Sequence, residues 1–147
     1  MSNFNWGILG PGGIAKAFAE DLKKLDGHSI AAVGSRTLSN AQSFASTFGG
    51  TAYGSYEELV ADSSIDAIYV ATPHPAHHDN VILALNAGKP VLCEKPFAVN
   101  AKQAQAMVDA AAKNKVALME AMWARFLPHY AKAVSYTHLT LPTIYSV

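Results

Sequence analysis

Charge is scarce in this sequence, and neither sign prevails. Asp, Glu, Lys and Arg make up 15% of the 147 residues, against roughly 25% in an average soluble protein. The 11 basic and 11 acidic residues cancel. That balance argues against a nucleic-acid partner held by bulk electrostatics, which needs a basic surplus or stripe. Cysteine is almost absent. Cys93 stands alone, so no internal disulfide can form and no secreted disulfide scaffold is implied. No apolar run approaches the ~18 residues of a membrane span. The N-terminus, Met1 to Asn5, has neither the basic n-region nor the apolar h-region of a signal peptide. What is abundant is apolar: 50% of the residues are hydrophobic. The length suits one domain of the usual ~100–200 residues. The expectation is a compact cytoplasmic domain with no membrane and no nucleic-acid partner.

Short apolar runs alternate with helical periodicity along the chain. Trp6 to Leu9 reads as a strand ending at Gly10. Ile14, Ala17, Phe18, Leu22 and Leu25 recur at helical spacing until Gly27 stops them. Ile30–Val33, Thr51–Tyr53, Ile65–Val70, Pro90–Cys93 and Val116–Met119 read as further strands. Between them lie helices over Leu38–Phe48, a short one opened by the Ser55–Glu58 capping box, one over Ala76–Ala87, and one capped by Asn100 with Gln103 completing the box. The strands are continuously apolar, so both faces are covered. This predicts an α/β domain, a doubly wound parallel sheet. Such sheets bind ligands beyond the carboxyl ends of their strands.

The first strand runs into Gly10-Pro11-Gly12-Gly13-Ile14-Ala15, a G-x-G-x-x-A pattern between strand and helix. Gly10 permits the tight turn, Gly12 lets backbone approach a pyrophosphate, and Ala15 lets helix and strand pack closely. The helix N-terminus offers free N–H groups to phosphates. An NAD site usually carries Asp or Glu after the second strand to bind the ribose 2′-hydroxyl. Here that place reads Gly34-Ser35-Arg36-Thr37. No carboxylate repels a 2′-phosphate, Arg36 can grip one, and Ser35 and Thr37 can add hydroxyl donors. The expected cofactor is NADP, with NAD less favoured.

Two further loops follow strands: Ala71-Thr72-Pro73-His74-Pro75-Ala76-His77-His78 and Cys93-Glu94-Lys95-Pro96-Phe97. With the glycine loop, these A-T-P-x-x-x-H and E-K-P segments resemble the Gfo/Idh/MocA oxidoreductases in order and spacing. Met119 to Phe126, MEAMWARF, resembles that family's dihydrodiol dehydrogenase branch. The resemblance runs from about Phe4 to about Tyr130. It implies that Thr72, Pro73 and His74 line the adenosine-ribose side of the cofactor, with His77 nearby. It puts Glu94 and Lys95 at the nicotinamide end, Lys95 being the catalytic candidate that contacts the substrate oxygen and supports proton transfer. Trp123 and Arg125 would close over the cofactor. A lysine beside the positive nicotinamide and partly desolvated has its charged form disfavoured. A cis Lys95–Pro96 bond would aim it from a tight turn. The alternative for Lys95 is a structural ion pair.

His74, His77 and His78 invite a metal reading, but neighbouring helical positions point apart and no Cys or carboxylate pair completes a set, so no metal is expected. From Val134 the chain changes character: residues 134–147 hold no charged residue and show no periodicity. Val134 to Thr143 resembles an in-frame translation of a sequencing adapter. The expected organisation is a dinucleotide-binding domain over 1–122, the start of a crossover over 123–133, and a non-native tail over 134–147. The resemblance also implies a second α/β domain that binds substrate and is absent here, and through whose sheet any homo-oligomer would form. The parent enzyme would then transfer a hydride between NADP(H) and a sugar, polyol or dihydrodiol carbon, and this chain alone would be inactive. The alternative is a non-catalytic dinucleotide-binding, redox-sensing module.

Overall fold

The computed structural model describes residues 3–130 and 132–135. Six strands are β1 (Phe4–Leu9), β2 (His28–Gly34), β3 (Thr51–Tyr53), β4 (Ala67–Val70), β5 (Val91–Cys93) and β6 (Leu118–Glu120). They form one sheet in the order β3-β2-β1-β4-β5-β6, with every neighbouring pair parallel. The order reverses between β1 and β4, and the crevice at that switch point is where open α/β sheets bind ligands. The helices are α1 (Gly13–Leu22), α2 (Leu38–Phe48), α3 (Tyr56–Val60), α4 (His77–Asn86) and α5 (Ala101–Asn114).

Successive strand residues point to opposite faces, and each face has its own core. Ile8, Val33 and Tyr69 pack with Ala15, Ala19 and Leu22 of α1 and Phe44 of α2. Leu9, Ile68 and Val70 pack with Leu59 of α3, Leu85 of α4 and Met107 of α5. All four residues of β4 are buried, as continuous apolar strands require. The expected doubly wound sheet is the observed one.

The boundaries differ where local chemistry intervenes. β2 begins two residues early because Phe4 pairs with His28. α1 ends at Leu22, and the chain turns through residues 23–27 to Gly27, which has φ +77°. The helix expected over Ala76–Ala87 is preceded by a 3-10 turn, His74–Ala76, because Pro75 lacks an N–H and suits a first turn. β6 starts only at Leu118, since Lys115 and Val116 still close α5: Val116 N–H donates to the Ala111 carbonyl at 3.2 Å. Both caps form. Ser55 Oγ accepts from Glu58 N–H at 3.1 Å, though the Glu58 carboxylate accepts from Gly54 rather than Ser55. Asn100 Oδ1 accepts from Gln103 N–H at 3.0 Å. Trp123–Phe126 is a 3-10 turn, and residues 132–135 are helical. The proposed tail therefore begins in a helical segment at Val134 and Ser135, and the rest of it lies outside the described residues.

Candidate functional site

The loop after β1 is squeezed from two sides. Gly10 has φ +88°, and its N–H donates to the Gly34 carbonyl of β2 at 3.0 Å. A Cβ at Gly10 would lie 3.0 Å from the Ala71 carbonyl oxygen and from Thr72 Cα. Two residues on, the situation is the opposite. Gly12 and Gly13 are exposed, and a Cβ on either would meet nothing within 4 Å. Behind them Ala15 is fully buried, so α1 rests close on the sheet while its first N–H groups face open space. Pro11 is half-buried beside them, and Ile14 is 45% exposed.

At the end of β2, Ser35 is buried and its Oγ accepts from Thr37 N–H at 3.3 Å. Arg36 and Thr37 are exposed. Two clefts meet here. One, of about 550 Å³, runs from the glycine loop past Arg36 and Thr37 to Thr72 and Pro73, and Lys16 lines it too. Its charged residues are Lys16 and Arg36, both cationic. The other, of about 660 Å³, shares Arg36, Tyr56 and Pro73 with the first but is also lined by the acidic residues Glu57 and Asp79, the latter 2.7 Å from His78 Nδ1. An anionic group is therefore favoured in the first cleft, and the second suits an uncharged ring.

The loops after β4 and β5 are tied to each other. His77 is buried, with Nε2 2.9 Å from the Thr72 carbonyl oxygen and Nδ1 2.9 Å from the Pro96 carbonyl oxygen. Its ring is spent on spanning two loops. Asn80, also buried, donates to Thr72 Oγ1 at 3.1 Å. His74 packs edge-on against His77, and its buried Nε2 has no partner among the described residues.

Glu94 is 8% exposed. Tyr69 Oη donates to its Oε1 at 2.5 Å, and its Oε2 accepts from the Lys95 N–H at 3.0 Å. The Glu94 carboxylate thus holds the loop while it also lines two clefts. Burial, then the Glu94 carboxylate, pushes the Tyr69 phenol far above its usual range. Burial, reinforced by Glu120 and Glu94, pushes the Cys93 thiol up to about 12. Glu120 of β6 accepts from Phe97 N–H at 2.9 Å and fixes the far side of the same loop. The Lys95–Pro96 peptide is cis. Lys95 itself is exposed, and no ion pair holds it among the described residues. Lys95 lines a small cleft with Ile14, Thr72, His74, His77 and Glu94.

Trp123 stands apart, 69% exposed, where it lines an apolar groove with Phe126, Met119 and Phe18 of α1. Arg125 is exposed on the same turn. The same groove is lined by Ile14 of the glycine-loop motif and by Glu94. Tyr69, Asn80, Glu120, Lys16 and Tyr56 were not singled out from sequence as site residues. No group of three or more His, Cys, Asp or Glu among the described residues could hold a metal. No described helix is long and apolar enough to cross a membrane.

Residues 4–122 match the Gfo/Idh/MocA family model, described as an oxidoreductase family with an NAD-binding Rossmann fold. Two curated relatives illustrate the likeness. D-xylose 1-dehydrogenase (NADP(+)) of Hypocrea jecorina is 46% identical, over 84% of this chain and 35% of its own. Mouse trans-1,2-dihydrobenzene-1,2-diol dehydrogenase is 48% identical, over 84% of this chain and 38% of its own. Among solved structures, the 3-ketoreductase KijD10 of Actinomadura kijaniata with NADP superposes with a TM-score of 0.87 at 27% identity. That match covers 95% of this chain and 45% of the other. The chain spans about 35% to 45% of the length of these relatives.

Proposed function

This chain belongs to the Gfo/Idh/MocA oxidoreductase family, and from that premise we propose that it is the NADP(H)-binding part of an enzyme that moves a hydride to or from a hydroxyl-bearing carbon of a sugar, polyol or dihydrodiol. One observation carries the cofactor choice. The cleft that runs from the glycine loop to the end of β2 is lined by Lys16 and Arg36 and by no carboxylate. The names of the relatives point the same way.

The residues fit a dinucleotide. Open space over Gly12 and Gly13 admits a pyrophosphate to the N–H groups that begin α1. The buried Nε2 of His74, without a partner among the described residues, is a polar group that a bound ligand can satisfy. Arg36 supplies charge-assisted hydrogen bonds for a 2′-phosphate, and Thr37 and Ser35 flank it. Thr72, Pro73 and His74 wall the ribose side. Bound there, the nicotinamide supplies the hydride chemistry, and the protein supplies orientation and electrostatics. Lys95, held by a loop pinned at Glu94, Pro96 and Phe97, is the group that stabilises a developing alkoxide or moves its proton. His77 acts beneath it, joining the Thr72 and Pro96 backbones. Trp123, which lines one groove with Ile14 and Glu94, and Arg125 on the same turn cover the nicotinamide side.

Titration of the purified chain with NADPH and NADH, followed by fluorescence or calorimetry, tests the reading. NADPH is expected to bind more tightly, and Arg36→Ala to reduce that preference by about ten- to a hundredfold, as loss of hydrogen bonds to a charged group requires. An unchanged ratio in Arg36→Ala would remove Arg36 from the site.

A further inference from the structure

The loop after β5 carries a buried charge that cofactor binding alone leaves without a task. Glu94 is 8% exposed, and each of its carboxylate oxygens accepts a hydrogen bond from this chain. Tyr69 Oη donates to Oε1 at 2.5 Å, and the Lys95 N–H donates to Oε2 at 3.0 Å. No ion pair holds it among the described residues. A phenol and a backbone N–H are neutral donors, so they orient the negative charge without cancelling it. The carboxylate is not sealed off either. It lines the cleft of about 200 Å³ that Lys95 and His74 also line, and the apolar groove of Trp123. The buried Nε2 of His74, without a partner among the described residues, marks that cleft as one a ligand completes.

A dinucleotide lies across the point where the strand order reverses, with one half on each side of its pyrophosphate. Open space for the pyrophosphate lies over Gly12 and Gly13, and the cationic cleft beside Arg36 takes the adenosine half at the end of β2. The other half then runs over the ends of β4 and β5. The 200 Å³ cleft lies there, and Ile14 and Thr72 line both it and the cationic cleft. We propose that Glu94, oriented by Tyr69, biases this end of the site toward the oxidised nicotinamide. The proposal rests on the NADP(H) reading above. The oxidised ring carries one positive charge that the reduced ring lacks. A fixed negative charge in the wall of the site binds the cationic form more tightly than the neutral one. Lys95 has the opposite charge, but it is exposed, and solvent and salt screen an exposed charge more than a buried one. Asp21, on the wall of the apolar groove, is exposed and paired with Lys24.

Wild type, Glu94→Gln and Tyr69→Phe are titrated at pH 8 with NADP+, NADPH and adenosine 2′,5′-bisphosphate, followed by calorimetry. The quantity read is the NADPH dissociation constant divided by that of NADP+. Glu94→Gln keeps the shape and removes the charge. It is expected to lower the ratio about tenfold, the scale of two unit charges about 10 Å apart at an effective dielectric of ~20. For a two-electron couple tenfold is about 30 mV. Tyr69→Phe loosens the same loop and keeps the charge, so its ratio is expected to stay within about threefold of wild type. The bisphosphate has no nicotinamide half, and its affinity is expected to stay within about twofold in both variants.

A ratio unchanged within about twofold in Glu94→Gln overturns the proposal and leaves Glu94 an anchor of its loop. An equal fall in Tyr69→Phe overturns it too, because loss of the anchor then suffices. So does a loss of bisphosphate affinity as large as that of NADP+, which places the damage in the adenosine half. Failure of the cofactor reading looks different. If none of the three nucleotides binds wild type, that reading falls and the proposal with it. If they bind and Glu94→Gln leaves the ratio alone, only the proposal falls. Should Glu94→Gln melt early, Tyr69→Phe combined with Glu94→Met replaces both partners by apolar groups, which costs little, and the same tenfold fall is expected of it.

Discussion

The two outer glycines of the G-x-G pattern separate a folding role from a binding role, and a methyl group at each tells them apart. At Gly10 an alanine meets two obstacles. The left-handed φ of +88° costs a residue with a Cβ about 1–2 kcal/mol. The new carbon would also lie 3.0 Å from the Ala71 carbonyl oxygen and Thr72 Cα, and both are backbone that cannot swing aside. Overpacking of that kind costs about 1–3 kcal/mol. The sum, about 2–5 kcal/mol, is a large part of the ~5–15 kcal/mol that holds a typical domain together. At Gly12 neither obstacle exists. Its φ is −85°, and its Cβ would meet nothing within 4 Å. Gly12→Ala should therefore leave stability within about 0.5 kcal/mol. The space it fills is the space a pyrophosphate needs, so NADPH affinity should fall at least about tenfold. Urea unfolding followed by circular dichroism gives the first quantity, and fluorescence titration the second. The reasoning fails if Gly12→Ala destabilises the chain by more than about 1 kcal/mol or binds NADPH normally. It fails equally if Gly10→Ala unfolds at the wild-type urea midpoint.

Tyr69→Phe deprives the Glu94 carboxylate of its phenol donor, and the loss should be about 1.5–3 kcal/mol in urea unfolding, as for other hydrogen bonds to buried charge. A change below about 0.5 kcal/mol would mean that the pair is not maintained in solution. The thiol of Cys93, pushed up to about 12 by burial, keeps a proton that the unfolded chain releases near the ordinary ~8.5. Native protein then binds more protons than unfolded protein in that window, so stability falls as pH rises through it, by about 1.4 kcal/mol per pH unit for one group. Cys93→Ala should flatten this slope between about pH 8.5 and 10, below the range where the raised Tyr69 phenol adds its own. An identical slope in the variant would place the effect elsewhere. Native Cys93 should also resist Ellman's reagent until urea exposes it.

What the sequence made legible is what depends on near neighbours. The glycine loop is read from six consecutive residues because a tight turn, a free helix end and a close helix–strand contact are each local requirements. The same holds for the caps at Ser55 and Asn100, where the bond spans three residues. The sheet is legible for a different reason. The central strand β4 is apolar on both faces, and only a layer of helices on each side can cover it. Boundaries slipped where a distant strand or a proline decided them, as His28 pairing with Phe4 and Pro75 opening a 3-10 turn show.

The supporting residues were illegible because their partners come from other strands. Tyr69 reads as one more apolar strand residue, and its hydroxyl finds a carboxylate 25 residues away only because β4 and β5 lie in register, Val70 against Cys93. Glu120 meets the loop after β5 because Cys93 pairs with Glu120 itself. The consequence bears on function. A loop at the end of a strand has few neighbours within its own segment, so its geometry is set by adjoining strands. Lys95 is exposed and has no ion pair among the described residues, yet its loop is held through the Glu94 side chain and the Pro96 and Phe97 backbones by Tyr69, His77 and Glu120, which reach it from β4, α4 and β6. The base of this side chain is therefore anchored by its neighbours while its tip is exposed. That arrangement suits a residue whose partner arrives only with bound cofactor and substrate.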